Sequence, residues 1–190
     1  MPSSSASARL PLPPAGEGRG EGAPSLSSTT PRCAPMTAAT RGAASALLGA
    51  FLRGDGHYLA SSAAYGDGGA AALERALDLF LARPEIGFVW LAFAPGPDGA
   101  EAIGACVACY AISTARGSLV VKLDDVTIAE GWQGRGVGGA MLAALADHLR
   151  GLGVTRIDSA CHRDNTGAWR FYERLGFRPL DEERIALLLR

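Results

Sequence analysis

Between Leu119 and Leu149 an apolar strand runs through a glycine-rich turn into a helix, a succession that few folds can use. The turn reads Gln133-Gly134-Arg135-Gly136-Val137-Gly138-Gly139, and Ala140-Met141-Leu142-Ala143-Ala144-Leu145 carries the helix onward. Repeated glycines let the backbone take positive φ and turn several N–H groups toward one ligand. Those groups add to the positive end of the helix dipole, so the site suits a phosphate or pyrophosphate. An ATP-type phosphate loop needs Lys-Ser or Lys-Thr after its last glycine, and Gly138-Gly139-Ala140 stands there instead. Gly134, Gly136 and Gly139 do match the dinucleotide fingerprint G-x-G-x-x-G. That fingerprint also wants an acid about 20 residues on, closing the next strand. Asp158 lies inside Arg156-Ile157-Asp158-Ser159-Ala160-Cys161 rather than at its end, and few residues remain for a doubly wound sheet.

A third reading accounts for more of the chain. Gln133-x-x-Gly136-x-Gly138 resembles the acyl-CoA pyrophosphate loop of the GNAT superfamily of N-acetyltransferases. The resemblance continues through Asn165-Thr166-Gly167-Ala168-Trp169-Arg170-Phe171-Tyr172-Glu173-Arg174-Leu175-Gly176-Phe177, which is similar to that family's second motif. Two motifs with a strand between them are far more specific than either alone. Leu123-Asp124-Asp125-Val126 is similar to the Leu-Glu-Asp segment of the diamine and polyamine acetyltransferase branch. The resemblance implies an α+β fold: a central mixed, largely antiparallel sheet of six to seven strands flanked by about four helices. It implies acetyl-CoA as co-substrate, no metal, and a small-molecule primary amine as acceptor, acetylated by direct attack in a ternary complex. Homodimers are common in the family, but no feature of this sequence specifies one. Some proteins of this fold bind acyl-CoA as sensors, so a non-catalytic binding module is the alternative function.

Hydrophobic periodicity predicts helices over Ala43–Leu52, Ala70–Ala82, Gly138–Leu149 and Thr166–Leu175. Strands are predicted over Phe88–Phe93, Ile103–Ile112, Leu119–Ile128, Val154–Cys161 and Arg184–Leu189. The family's first strand should precede Ala43, and Thr37-Ala38-Ala39-Thr40 is a poor candidate for it. Residues 1–35 are rich in Ser, Pro and Gly, without apolar period or signal-peptide core, and read as a disordered tail before a 36–190 domain. Translation beginning at Met36 is a sharper version of the same reading. The net charge of −1 offers no electrostatic case for nucleic acid, and no apolar run is long enough to span a membrane. Lys122 is the only lysine among 18 basic residues. Cys106-x-x-Cys109 falls in a strand, where residues three apart project from opposite faces, so packing is expected rather than metal or disulfide. Reduced thiols fit a cytoplasmic setting.

Acyl transfer needs a base for the ammonium, donors for the oxyanion, and a proton for the leaving thiolate. Tyr172 matches the family's Tyr beside the CoA sulfur, and a phenol of reference pKa about 10 keeps its proton where a thiol loses one. The same tyrosine also falls on a helical stripe with Ala168, Phe171 and Leu175, as a core aromatic would. Asp124 matches the acid beside the acceptor amine, as base through a water or as a cation-binding group. Asp124 and Asp125 could equally pair with arginines. Val126, Thr127 and Ile128 match the bulged segment whose backbone N–H groups serve carbonyl and pantetheine. Gln133, Gly134, Arg135, Gly136, Val137, Gly138 and Gly139 form the loop itself, with Asn165 and Arg170 as further cofactor contacts by resemblance. Asn165 is equally explained as a helix cap, and the arginines as solvated surface groups. For the acceptor pocket the segment carrying Asp55, His57, Tyr58, Tyr65 and Asp67 supplies candidates, of which Tyr58 and Tyr65 are preferred. Asp181-Glu182-Glu183 is similar to the acidic run ending the diamine branch, and His162 near Asn165 is expected to be structural.

Overall fold

In the computed structural model, residues 30–62, 68–96 and 101–180 are described. The elements run β1 (Arg32–Pro35), α1 (Arg41–Gly54), α2 (Gly56–Ser62), α3 (Gly69–Ala82), β2 (Gly87–Phe93) and β3 (Ala102–Ser113). They continue as β4 (Ser118–Ile128), α4 (Val137–Gly151), β5 (Ile157–Ser159) and α5 (Thr166–Arg174). Among the described residues five strands form one sheet in chain order, antiparallel from β1 to β4, with β5 added in parallel to β4. This is the expected mixed, largely antiparallel sheet flanked by helices. Among the described residues five helices occur, the short α2 being additional to the predicted set. The predicted strand Arg184–Leu189 lies outside the described residues.

Strand alternation sorts the apolar side chains into two layers. On one face Trp90, Ala108, Val121 and Leu123 meet Val137, Met141, Leu145 and Leu149 of α4. On the other, Val89, Leu91, Phe93 and Val107 meet Ala44 and Leu48 of α1 and Leu77 of α3. A sheet covered on both faces explains why β2 reads as an unbroken apolar run. Each fully buried Leu or Val contributes about 1.5–3 kcal/mol relative to exposure. Arg41 fastens α1 to α3 through Glu74 Oε2 (2.5 Å) and Asp78 Oδ1 (2.8 Å). Cys106 belongs to the first layer and Cys109 packs on the second, as strand alternation requires.

Two sequence expectations shift. The first strand is Arg32–Pro35, paired in register with Trp90–Phe93 of β2, so the folded domain includes residues assigned to the tail. Thr37–Thr40 is a turn, closed by Thr40 N–H donating to the Thr37 carbonyl at 3.0 Å. Four residues give too short a pattern to read from sequence, and Pro35 is tolerated because β1 is an edge. Secondly, the predicted strand Val154–Cys161 narrows to Ile157–Ser159. Val154 instead bonds back to Leu149, and beyond Ser159 the chain parts from β4.

Candidate active site

The site begins where β5 stops pairing. Val121, Lys122 and Leu123 face Ile157, Asp158 and Ser159, and from Asp124 to Ile128 β4 has no β5 partner. On its other side β4 pairs with β3, but Ala105↔Thr127 is followed by Val107↔Asp124. Asp125 and Val126 therefore stand opposite the single residue Cys106, a two-against-one bulge. Asp125 takes a φ of 50°, the only described non-glycine residue at positive φ. Val126, Thr127 and Ile128 thus lie at and beyond the bulge, on the stretch of β4 without a β5 partner.

Beyond Ile128 the glycine turn leads into α4. Gly134 and Gly136 have φ of 72° and 81°, which a side chain would strain. Gly136 is the N-cap of α4, and no side-chain hydrogen bond caps the helix, so its first-turn N–H groups at Val137, Gly138 and Gly139 have no side-chain acceptor. Gly138 is needed for another reason: a Cβ there would lie 3.2 Å from Phe171 Cε2. The missing side chain lets α5 press against the start of α4. Gln133 donates from Nε2 to the Ile128 carbonyl at 3.0 Å, bracing the turn against β4. Arg135 lies over the Trp132 ring, 5.5 Å from its centroid. This uncapped, glycine-lined helix end fits the pyrophosphate of an acyl-CoA, whose charge it would receive through backbone N–H groups.

From the opposite side α5 supplies Tyr172, whose ring is set edge-on to Phe171 and Phe177. Burial raises the phenol above its ordinary pKa, and Cys161, Cys106 and Asp124 add to the rise, while a hydrogen bond with Ser159 opposes it. Ser159 in turn donates to the Leu123 carbonyl at 3.2 Å, so the last β5 residue ties Tyr172 to the point where the strands separate. Asn165 is the N-cap of α5, its Oδ1 accepting from Ala168 N at 3.0 Å. Arg170 is exposed on the outer side of that helix.

On the other face of the sheet lies Asp124, half-buried, its Oδ2 2.5 Å from Lys122 Nζ. Asp125 is pushed up to about 6 by burial, with the Asp124 charge adding and Lys122 opposing. Tyr58 sits on α2 with its ring 5.9 Å from that of Phe51. His57, also on α2, stacks on His162 at 5.6 Å and so links that helix to the chain leaving β5. Tyr65 and Asp67, like Asp181-Glu182-Glu183, lie outside the described residues. Sequence reasoning passed over Ser159 and Lys122. The signal for Lys122 was its two-residue spacing from Asp124, which puts both on one strand face. Among the described residues no group of His, Cys, Asp or Glu is arranged to hold a metal, and no helix is long and apolar enough to cross a membrane.

The acetyltransferase (GNAT) family profile matches residues 63–177, more than half of the sequence. The chain belongs to the GNAT acetyltransferase family. No protein of curated function matches it in sequence. Among solved structures it resembles a probable acetyltransferase at 18% identity and TM-score 0.67, covering 84% of this chain and 98% of the other. AAC(6')-Iy in complex with the bisubstrate analog CoA-S-monomethyl-acetylneamine aligns at 19% identity and TM-score 0.61, covering 84% and 97%. Glucosamine-6-phosphate N-acetyltransferase from Arabidopsis thaliana aligns at 13% identity and TM-score 0.58, covering 83% and 98%. At these identities the GNAT family member shares a fold with them, and its acceptor has to be argued from its own residues.

Proposed function

We propose that this GNAT protein transfers the acetyl group of acetyl-CoA to the primary amine of a small molecule, by direct attack in a ternary complex. The single observation that carries the reading is the parting of β4 and β5 beside the bulge, with Tyr172 on one side and Asp124 on the other. Acetyl-CoA supplies an activated thioester. The N-terminus of α4, from Gly136 to Gly139, holds its pyrophosphate, with Arg135, Asn165 and Arg170 as further contacts. Backbone N–H groups of Val126, Thr127 and Ile128 serve the pantetheine arm and the charge that develops on the carbonyl oxygen. Asp124 takes the proton of the incoming ammonium. Tyr172, kept protonated by its burial, donates to the departing thiolate.

The acceptor enters from the α2 side, where Tyr58 lines its path; Tyr65 stays an acceptor-side candidate on the sequence alone. Carboxylates at Asp124 and Asp125 favour a cationic amine such as a diamine, polyamine or amino-acid-like compound. A second assignment of the base rests on Asp125, because a carboxylate raised to about 6 is better matched to proton transfer near neutrality.

Thiol release from acetyl-CoA, measured with the full chain across diamines, polyamines and amino acids, tests the reading. Acceptor-dependent release with intersecting initial-rate lines is expected. Asp124→Asn and Tyr172→Phe should each lower kcat by about 10²-fold or more. If Asp125→Asn has the larger effect, the base is Asp125. Saturable acetyl-CoA binding without release to any amine would instead support a non-catalytic acyl-CoA sensor.

A further inference from the structure

The acceptor side of the site already contains an amine. Lys122 is the only lysine in the chain, and its Nζ lies 2.5 Å from Asp124 Oδ2. Both residues project from the sheet face opposite Leu123, and the lysine stem leans along β4 toward the bulge. Its partner Cys109 across the β3–β4 ladder packs on the α1–α3 layer, which places the pair on the face away from α4. The lysine side chain keeps 46% of its surface exposed and the aspartate 28%, so neither is locked in the core. An ammonium within hydrogen-bond distance of the carboxylate that deprotonates the acceptor stands where an acceptor would stand.

We infer that Lys122 is a self-acetylation site, modified by the chain's own active site at Nζ. The inference rests on the assignment of Asp124 as the acceptor-side base. Asp124 takes one proton from the ammonium and passes it to solvent. The freed lone pair forms the N–C bond at the thioester carbonyl, the C–S bond breaks, and the thiolate takes the phenolic proton of Tyr172. The acylated nitrogen gives up its second proton, and an equivalent proton restores the Tyr172 phenol, leaving Nε-acetyl-lysine and free CoA. No oxidant, metal or second protein is required. Acetylation removes the lysine charge and releases Asp124 from its ion pair, which opens the carboxylate to a free cationic amine.

A single lysine makes the test unambiguous. The full chain is incubated with radiolabelled acetyl-CoA and no acceptor, and the label is located by peptide mass mapping, which separates Lys122 from the N-terminal amine. One acetyl group on Lys122 is expected, absent in Lys122→Arg and formed about 10²-fold more slowly in Asp124→Asn and Tyr172→Phe. Label on Lys122 at an unchanged rate in both site variants would mean ordinary chemical acylation and would overturn the inference. Absence of label in a chain that still releases thiol with free amines would overturn it too, while leaving the acetyltransferase reading intact. Absence of both label and acceptor turnover would overturn the two together.

Discussion

At the scale of single residues, the bulge sets the chemistry of β4. Asp125 carries an unfavourable backbone and a half-desolvated carboxyl at the same time. The native side chain holds its proton up to about pH 6, against 3.8 for the free group. The folded state therefore binds more protons between those values. Stability rises as pH falls from about 6 toward 4, and that contribution is lost as pH rises through 6. Asp125→Asn removes the buried charge and suits the left-handed backbone. It is expected to stabilise the chain at pH 7 by roughly 1–3 kcal/mol and to flatten this pH dependence, as urea unfolding at several pH values would show. Equal stability gains at pH 4 and pH 7 would contradict the assignment. Sequence reading named both aspartates, and strict strand alternation would put them on opposite faces. A bulge breaks that alternation, and nothing in Leu123-Asp124-Asp125-Val126 announces it without the family resemblance.

Among elements, the junction of α4 with α5 shows that two neighbouring glycines do different work. Gly138 is required by Phe171, whereas a Cβ at Gly139 would meet only Leu175 Cδ2 at an ordinary 3.9 Å. Replacing a helical glycine by alanine normally gains about 0.5–1 kcal/mol. Gly139→Ala is expected to realise that gain in the free chain. Gly138→Val is expected to cost about 1–3 kcal/mol through overpacking against Phe171. Thermal unfolding of the two variants checks the contrast, and similar effects at both positions would refute it. The helices themselves were readable because their apolar periodicity is long: Val137, Met141, Leu145 and Leu149 recur every fourth residue along α4. The glycine turn was legible as the entry to α4 for the same local reason. The Ser159–Tyr172 link was not, because it joins residues from two elements whose approach only the tertiary fold sets.

For the whole molecule, the largest departure from the sequence reading concerns the N-terminal edge. Cys33 and Ala34 of β1 pack on opposite layers of the core, and the Met36 N–H donates to the Val89 carbonyl at 2.7 Å. A chain begun at Met36 would keep that last bond and lose the four register pairs before it. Such a chain is expected to unfold roughly 5–10 °C below one that retains Arg32–Pro35, on about 3 kcal/mol of lost pairing and packing. Equal melting temperatures would show that β1 adds nothing. The longer strands were readable as apolar runs bounded by turns, whereas so short an edge strand is defined only by the neighbour it pairs with.

Hydrogen–deuterium exchange of the full chain, with and without acetyl-CoA, tests most directly that the cofactor spans the glycine turn and the gap beside β4. The account predicts protection of two separated segments, the bulged strand at residues 124–128 and the turn and first helical residues at 134–140. Protection of the turn alone would withdraw the thioester from the bulge. No protection of either segment under saturating acetyl-CoA would contradict the account of the site as a whole.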